Sequence, residues 1–358
     1  MGGAERRFLR TFTAMAEKDP EMHLVISRNL YRLALKMGLL DNSTRNIHQL
    51  VNWDFLPPTR GKYFYWIIHS IQLFWYVVYY RLRILHMVMT GVFTGFFPMH
   101  LPGVKSIVTI VSSKLSIYSS LTRPLYRRIL RLANLIDVLS PSIKTKLLAS
   151  EIYTPGIEKK IRISACSFTD YTHFLPANEK LDRIVYASRF EPIKSPKLMM
   201  AVARRVAVRL PEVEIYVAGF GSLEKDVHAL WEEMPPDVKS RVIVGSFQDL
   251  APIMAKAKLA LSLQRVENYP SQAILEAMAC KCAVVATDVG DTRLFIDDTV
   301  GALVGFDPDE ITEVIVNLFQ DQTRLKKLGE AAYKRATNEF SLEKFVQYIQ
   351  GLYSELCS

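Results

Sequence analysis

Along the chain, short runs of near-continuous apolar residues alternate with longer amphipathic stretches. The short runs are clearest at 182–188 (DRIVYAS), 213–219 (VEIYVAG), 241–246 (RVIVGS), 259–263 (LALSL) and 283–288 (AVVATD). Strands that are apolar on both faces and joined by helical crossovers predict a parallel sheet covered by helices on both sides. The first half repeats the alternation less regularly: a helix from Ala4, then strands at 22–27, 47–51, 84–90, 106–113, 137–140 and 160–164. The expectation is an α/β protein of two Rossmann-like units. Turn formers and a proline at 167–180 (SFTDYTHFLPANEK) separate them. This divides the chain into residues 1–170, residues 171–340, and a helical segment at 341–358 that has no strand of its own and is free to pack back toward the first unit.

Composition sharpens this picture. A chain of 358 residues that is 49% apolar has enough material for two ordinary cores. The opening MGGAERRFLRTF carries charges where a secretory signal needs an apolar stretch, so a cytoplasmic location is expected. Cys166, Cys280, Cys282 and Cys357 lack metal-ligand spacing and read as packing thiols, and no metal is expected.

The net charge of +9 is uneven: residues 1–177 hold 23 Lys+Arg against 10 Asp+Glu, or +13, and residues 178–358 hold 22 against 26, or −4. A basic half points to nucleic acid, anionic lipid or a phosphorylated substrate. No recognised nucleic-acid motif accompanies it, so a nucleic-acid partner is not expected. Residues 63–80 (YFYWIIHSIQLFWYVVYY) run 18 residues without a charge, close to the ~20 that a membrane span requires. His69, Gln72 and the tyrosines favour a buried or interfacial helix instead. Across 123–136 a helical wheel places Arg123, Arg127 and Arg131 opposite Leu125, Ile129, Leu132 and Ile136. With the basic half and the aromatic run, this favours docking on an anionic membrane surface.

The candidate chemistry lies in the second half. ENYPSQAILEAMA (267–279) turns into a helix starting near Pro270 or Ser271, whose unpaired N–H groups and positive dipole end form an anion site. Glu276, inside that helix, has the acceptors to bind two ribose hydroxyls. The stretch alone fits equally well a glutamate that favours the helix dipole. Arg189, just past the strand at 182–188, and Lys194, five residues on, are placed to clamp a diphosphate. Taken together these features describe a nucleoside-diphosphate site. Gly219 and Gly221 in GFGSLE suit a tight strand-to-helix turn beside it, and Asp307-Pro308-Asp309 reads as a helix cap rather than a metal pair.

Six segments carry a family resemblance: GGAERR (2–7), YASRFEPIKS (186–195), IYVAGFGSLEKDV (215–227), RVIVGSFQDL (241–250), SLQRVENYPSQAILEAMACKCAVVATDVGDT (262–292) and GALVGFDPDE (301–310). With them the chain resembles the retaining family 4 glycosyltransferases of GT-B fold. The resemblance implies two Rossmann-like domains facing a central cleft. It further implies transfer of a hexosyl group, with retention, from a nucleotide-diphosphate sugar to a polysaccharide or lipid-linked acceptor in cell-envelope glycan synthesis. Neither a cofactor nor an obligatory metal is implied.

In that picture Arg189 and Lys194 hold the diphosphate and Glu276 takes the ribose. The backbone at Ser246 and Phe247 faces the base. The main chain from Tyr269 through Pro270 and Ser271 to Gln272 meets the phosphates and sugar, and Gly2 and Gly3 form a loop closing over the donor. Relatives pair two glutamates eight positions apart. Here Asn268 stands eight before Glu276 and Glu267 nine before, and either is placed to meet the sugar hydroxyls. Where relatives carry a histidine after the fifth strand of the first domain, this chain has Ser112 and Ser113. Only Met1 precedes the glycine pair, so the first unit is expected to lack its central strand. That keeps open a catalytically silent nucleotide-binding relative. A basic nucleic-acid-binding protein and a GT-B epimerase are weaker alternatives.

Overall fold

The computed structural model describes all residues except 1–2, 42, 52–61, 89–92, 112–121, 165–167, 170 and 268, and divides into two units. One comprises 1–165 together with 342–358, the other 166–341. The division falls ahead of residue 170 because the intervening side chains are held by the second unit: Thr169 Oγ1 donates to Glu276 Oε1 at 3.1 Å and the Tyr171 hydroxyl donates to the Phe340 carbonyl at 2.7 Å.

The first unit runs α1 (Gly3–Ala16), β1 (Leu24–Ser27), α2 (Arg28–Lys36), β2 (Ile47–Leu50), α3 (Lys62–Tyr79), β3 (Ile84–Val88), β4 (Lys105–Ile110), α4 (Arg123–Leu132), β5 (Leu135–Val138), α5 (Pro141–Leu148) and β6 (Ile161–Ile163). β1 and β2 form a two-stranded parallel sheet, and β3-β4-β5-β6 a four-stranded one. Among the described residues, β1 and β3 each pair on one side only. Gly3 opens α1, which corrects its expected place in a loop; Gly2 lies outside the described residues. The helix expected over 123–136 ends at Leu132, and Ile136 belongs to β5. Ala133 leaves helical geometry there, and Asn134 accepts from the Ser106 amide at 2.8 Å, starting the strand.

The second unit runs β7 (Leu181–Ala187), α6 (Pro196–Arg209), β8 (Glu214–Ala218), α7 (Glu224–Glu232), α8 (Pro236–Lys239), β9 (Val242–Gly245), α9 (Ala251–Lys256), β10 (Ala257–Ser262), α10 (Gln272–Ala279), β11 (Ala283–Thr287), β12 (Gly301–Val304), α11 (Pro308–Gln320) and α12 (Gln322–Glu339). Its six strands are parallel, in the order β12-β11-β10-β7-β8-β9. β11 is buried along its whole length, as an AVVAT sequence covered on both faces requires. α6 contributes Met199, Val202, Ala203 and Val206 to one core cluster, the buried methionine and valine side chains each contributing about 1.5–3 kcal/mol. β12 was not among the expected strands. It is four residues long and begins at Gly301, where an added Cβ would fall 1.8 Å from the Val284 carbonyl oxygen. Asp307 caps α11 by accepting from the Asp309 amide at 3.0 Å.

α13 (Leu342–Cys357) belongs to the first unit. Its Tyr348 hydroxyl donates to Asp137 Oδ1 at 2.6 Å, and Arg162 pairs with its Glu355. Asp137, fully buried in β5, also accepts from Ser164 Oγ at 2.6 Å and from Thr109 Oγ1 at 2.9 Å. His86 Nε2 lies 2.7 Å from Thr109 Oγ1 and its Nδ1 3.0 Å from the Tyr353 hydroxyl. Because Thr109 spends its proton on Asp137, Nε2 is the protonated nitrogen and Tyr353 donates to Nδ1. His86 is therefore a satisfied interior histidine rather than a ligand.

Candidate functional site

The strand order of the second unit reverses between β7 and β10. From β7 the sheet grows through β8 to β9 on one side, then returns to β10 and grows through β11 to β12 on the other. In an open parallel sheet the two crossovers on either side of such a reversal leave opposite faces, so a crevice remains at the carboxyl ends of the two central strands. The loops bordering it follow β7 and β10, and they carry Arg189, Lys194 and the stretch from Gln264 to Gln272.

The loop after β7 is fixed by its neighbours. Ser188 N donates to the Ala218 carbonyl at 3.0 Å, Phe190 N to the Phe220 carbonyl at 2.8 Å, and Gly219 N to the Gly245 carbonyl at 2.9 Å. The carboxyl ends of β7, β8 and β9 are thereby stitched together. Gly219 has to be glycine: an added Cβ would fall 2.0 Å from the Ser188 carbonyl oxygen and 2.7 Å from the Phe190 ring. Gly221, at φ +153°, passes as close to the Phe190 backbone. We expect Gly219→Ala to lower stability by about 1–3 kcal/mol and to shift the loop that carries Arg189. Denaturant titration and nucleotide affinity measured on the same variant test this; wild-type values in both would refute it.

Lys194 lies in the short turn 192–194, whose carbonyl accepts from the buried Tyr186 hydroxyl at 2.6 Å. Its ammonium donates to Gln264 Oε1, and Arg265 N donates to the Ile193 carbonyl at 2.9 Å, so the loops after β7 and β10 close on each other. Gln264 is held in turn: its Nε2 donates to Ser262 Oγ at 2.9 Å and its carbonyl accepts from Thr287 Oγ1 at 2.7 Å. Burial, and after it the like charge of Arg189, bring the Lys194 ammonium down to about 8. Two cations thus share one neighbourhood. Among the described residues neither forms an ion pair with a carboxylate. Glu191, whose carboxyl is lowered chiefly by hydrogen bonding from Ser222, is turned to the Ser222 hydroxyl at 2.7 Å.

The helix of the quoted stretch begins at Gln272, with Ser271 at the N-cap in extended conformation, so Pro270 precedes the cap rather than occupying the first turn. Ser271 is buried, and its hydroxyl does not cap the helix. Tyr269 packs its ring on Phe295 at 5.5 Å. Gln272 and Glu276, one turn apart on one face of α10, both meet the segment ahead of β7: Gln272 Nε2 donates to the Phe168 carbonyl at 3.0 Å, and Glu276 accepts from Thr169. Glu267 passes over Gly290, where an added Cβ would fall 2.8 Å from its own Cβ; Gly290 takes φ +53°. Asn268, Ser112, Ser113 and Cys166 lie outside the described residues.

The structure therefore gathers Arg189, Lys194, Gly219 and Gly221 at the end of β7. It places Glu267 and the head of α10 after β10. Ser246 and Phe247 follow β9, with the Phe247 ring 6.0 Å from Tyr216. Gly3 is in the other unit. Sequence reasoning missed Gln264 and Thr169. The only signal for Gln264 is a polar residue directly after an apolar strand, the same position relative to β10 that Arg189 has relative to β7.

Residues 182–321 match the family described as Glycosyl transferases group 1. The D-inositol 3-phosphate glycosyltransferase of Paenarthrobacter aurescens is 26% identical over 231 residues, which is 61% of this chain and 53% of that protein. The alpha-maltose-1-phosphate synthase of Mycobacterium tuberculosis is 34% identical over 92 residues, 24% of each chain. The chain thus spans about half the length, or less, of these curated relatives. Among solved structures, a glycosyltransferase from Rickettsia africae superposes with a TM-score of 0.77 at 16% identity, covering 100% of this chain and 96% of its own. Anabaena HepE in complex with UDP gives 0.77 at 15% identity, covering 99% and 96%. Residues 182–321 are thus similar to the group 1 glycosyltransferases, and the chain has the GT-B fold of these solved structures.

Proposed function

We propose that the protein is a retaining glycosyltransferase of family 4 type that moves a hexosyl group from a nucleotide-diphosphate sugar to a polysaccharide or lipid-linked acceptor in cell-envelope glycan synthesis. One observation carries the reading: Arg189 and Lys194 stand together at the strand-order reversal of a parallel sheet, joined through Gln264 to the loop that leads into α10. The complexes of Anabaena HepE with UDP and with UDP-glucose make a uridine diphosphate sugar the first donor to test.

Breaking the bond between the sugar's anomeric carbon and the diphosphate leaves negative charge on the departing phosphate oxygen. Arg189, Lys194 and the amide groups at the head of α10 stabilise that charge. The acceptor hydroxyl attacks from the face the diphosphate leaves, and its proton passes to the leaving phosphate. Configuration is retained without a side-chain nucleophile. Glu276 takes the ribose hydroxyls, Ser246 and Phe247 face the base, and Glu267 or Asn268 meets the sugar. This division of labour gives no step to a metal ion or a cofactor. The basic first half meets an anionic surface on the cytoplasmic side of the membrane; among the described residues no helix is long and apolar enough to cross it.

Calorimetric titration with a panel of nucleotide sugars, followed by a transfer assay with the tightest, tests the proposal. Binding of none of them would overturn it. Donor binding without transfer or hydrolysis would favour a silent nucleotide-binding relative.

The Lys194 ammonium sets a pH dependence. With its pKa held at about 8 in the free protein, donor affinity should be flat below pH 8 and fall as pH rises past it, because the diphosphate binds the protonated form. Above pH 8 binding should therefore take up a proton, seen as a dependence of the measured heat on buffer ionisation. Lys194→Arg should remove the inflection. An affinity independent of pH from 7 to 9.5 would count against Lys194 as a phosphate ligand.

A further inference from the structure

Among the described residues, α3 of the first unit carries a row of exposed apolar side chains, whereas the residues assigned to the donor belong to the second unit. Phe64, Ile67, Ile71, Trp75 and Val78 are each at least two-fifths exposed, and Trp75 reaches 63%. Their spacing of three and four residues puts them on one face of the helix, opposite Tyr65, Leu73 and Val77, which are buried. The helix is thus fully partnered on its inner side and shows aromatic and branched side chains on its outer side. A stripe of this kind on a folded unit marks an interaction surface.

Charge identifies the occupant. From Phe55 to Ile136 the sequence contains no Asp or Glu and ten Lys or Arg. The stripe ends at Val78, which lines an open cavity of about 510 Å³ together with Arg81, Arg83, Leu101 and Val104. Arg81 and Arg83 are both exposed, and Lys105 lies one residue beyond Val104. An acidic protein surface would satisfy the cations but not a row of exposed Trp, Ile and Phe. A lipid interface of anionic headgroups satisfies both, since indole and aliphatic groups settle at the acyl boundary while guanidinium groups stay with the phosphates. α4, whose arginines first drew attention, is different. Arg123 is paired with Glu151, Arg127 donates to the Glu151 carbonyl, and none of its large apolar side chains is exposed. It supplies charge without anything to insert.

We propose that α3 lies along the surface of an anionic bilayer, its outer stripe at the acyl–headgroup boundary, with Arg81 and Arg83 holding lipid phosphate in the cavity at its end. This deepens the membrane contact proposed above. The cavity opens between the end of α3 and the segments leading into β3 and β4, at the amino-terminal ends of those strands, whereas the donor residues lie at carboxyl ends of the other sheet.

The test is sedimentation of the full chain with phosphatidylcholine vesicles, with and without about a third phosphatidylglycerol, beside calorimetric donor titration of the same preparations. Wild type should partition onto the anionic vesicles roughly tenfold or more better than onto neutral ones. Ile71→Ser with Trp75→Ser should lose about tenfold in partitioning. Arg81→Gln with Arg83→Gln should lose most of the preference for anionic lipid. All four side chains are on the surface, so melting temperature should not fall, and donor affinity should be unchanged. Loss of vesicle binding with donor binding intact thus separates this proposal from the donor reading. Undiminished binding by the Ile71/Trp75 variant would overturn it. So would a wild type that ignores vesicles and self-associates through the stripe in sedimentation equilibrium, with the variant monomeric.

Discussion

Lys194→Met should lower kcat/KM for sugar transfer by about 10²–10³-fold, with most of the loss in kcat. Methionine keeps the length of the buried stem and removes the ammonium, with its charge and its bond to Gln264, while the turn at 192–194 and its bond from Tyr186 should persist. The loss falls on kcat because the diphosphate gains negative charge as it departs, and a cation already in place acts most strongly on that charge. Glu276→Ala should behave differently, weakening donor binding by more than about 1 kcal/mol with a smaller change in turnover, because a ribose contact is nearly the same before and during bond breaking. Steady-state kinetics and calorimetry on the two variants distinguish these patterns. Unchanged kinetics in the lysine variant and unchanged affinity in the glutamate variant would together dismantle the site as drawn.

The largest loss of stability expected from one substitution in the first unit is that of Asp137→Ala, about 3–5 kcal/mol. Three hydroxyl donors, from Thr109, Ser164 and Tyr348, converge on this one buried carboxylate and would lose their acceptor together. Tyr348→Phe removes a single donor and should cost about 1 kcal/mol. Urea unfolding of both variants gives the comparison; a loss under 1 kcal/mol for the alanine variant would mean that water replaces the carboxylate. His86 adds an acid limb. Burial takes its pKa down to about 4, against an ordinary value of 6.5, with Asp137 opposing the shift. Between those values the unfolded chain binds a proton that the folded chain refuses, so stability should fall as pH drops from 6.5 toward 4.

Much of this arrangement is written in local pattern, and the exceptions have physical causes. Strands covered on both faces, such as 283–287, announce themselves because nearly every residue must be apolar. β12 does not, because its four residues follow a glycine demanded by the Val284 backbone and give too little periodicity to read. The end of α4 was misread because the apolar spacing runs on through Ile136 although the chain has left the helix. The cations were legible from their place after a strand. Gln264 was not, since its role arises only when the loop after β7 folds onto the end of β10, 70 positions further along. Thr169 reaches Glu276 across 107 positions, a separation over which no pattern of spacing operates.

Because α13 packs with the first unit, the two units are completed out of sequence order during synthesis. The second unit is contiguous in sequence and is complete, strand by strand, once residue 341 is available. The first is interrupted: Asp137 keeps an acceptor site for Tyr348, and His86 awaits the Tyr353 hydroxyl, until synthesis has passed Tyr353. Nascent chains should therefore reach protease resistance in reverse of their gene order, with the amino-terminal portion the later to mature and the one exposed longest to chaperones.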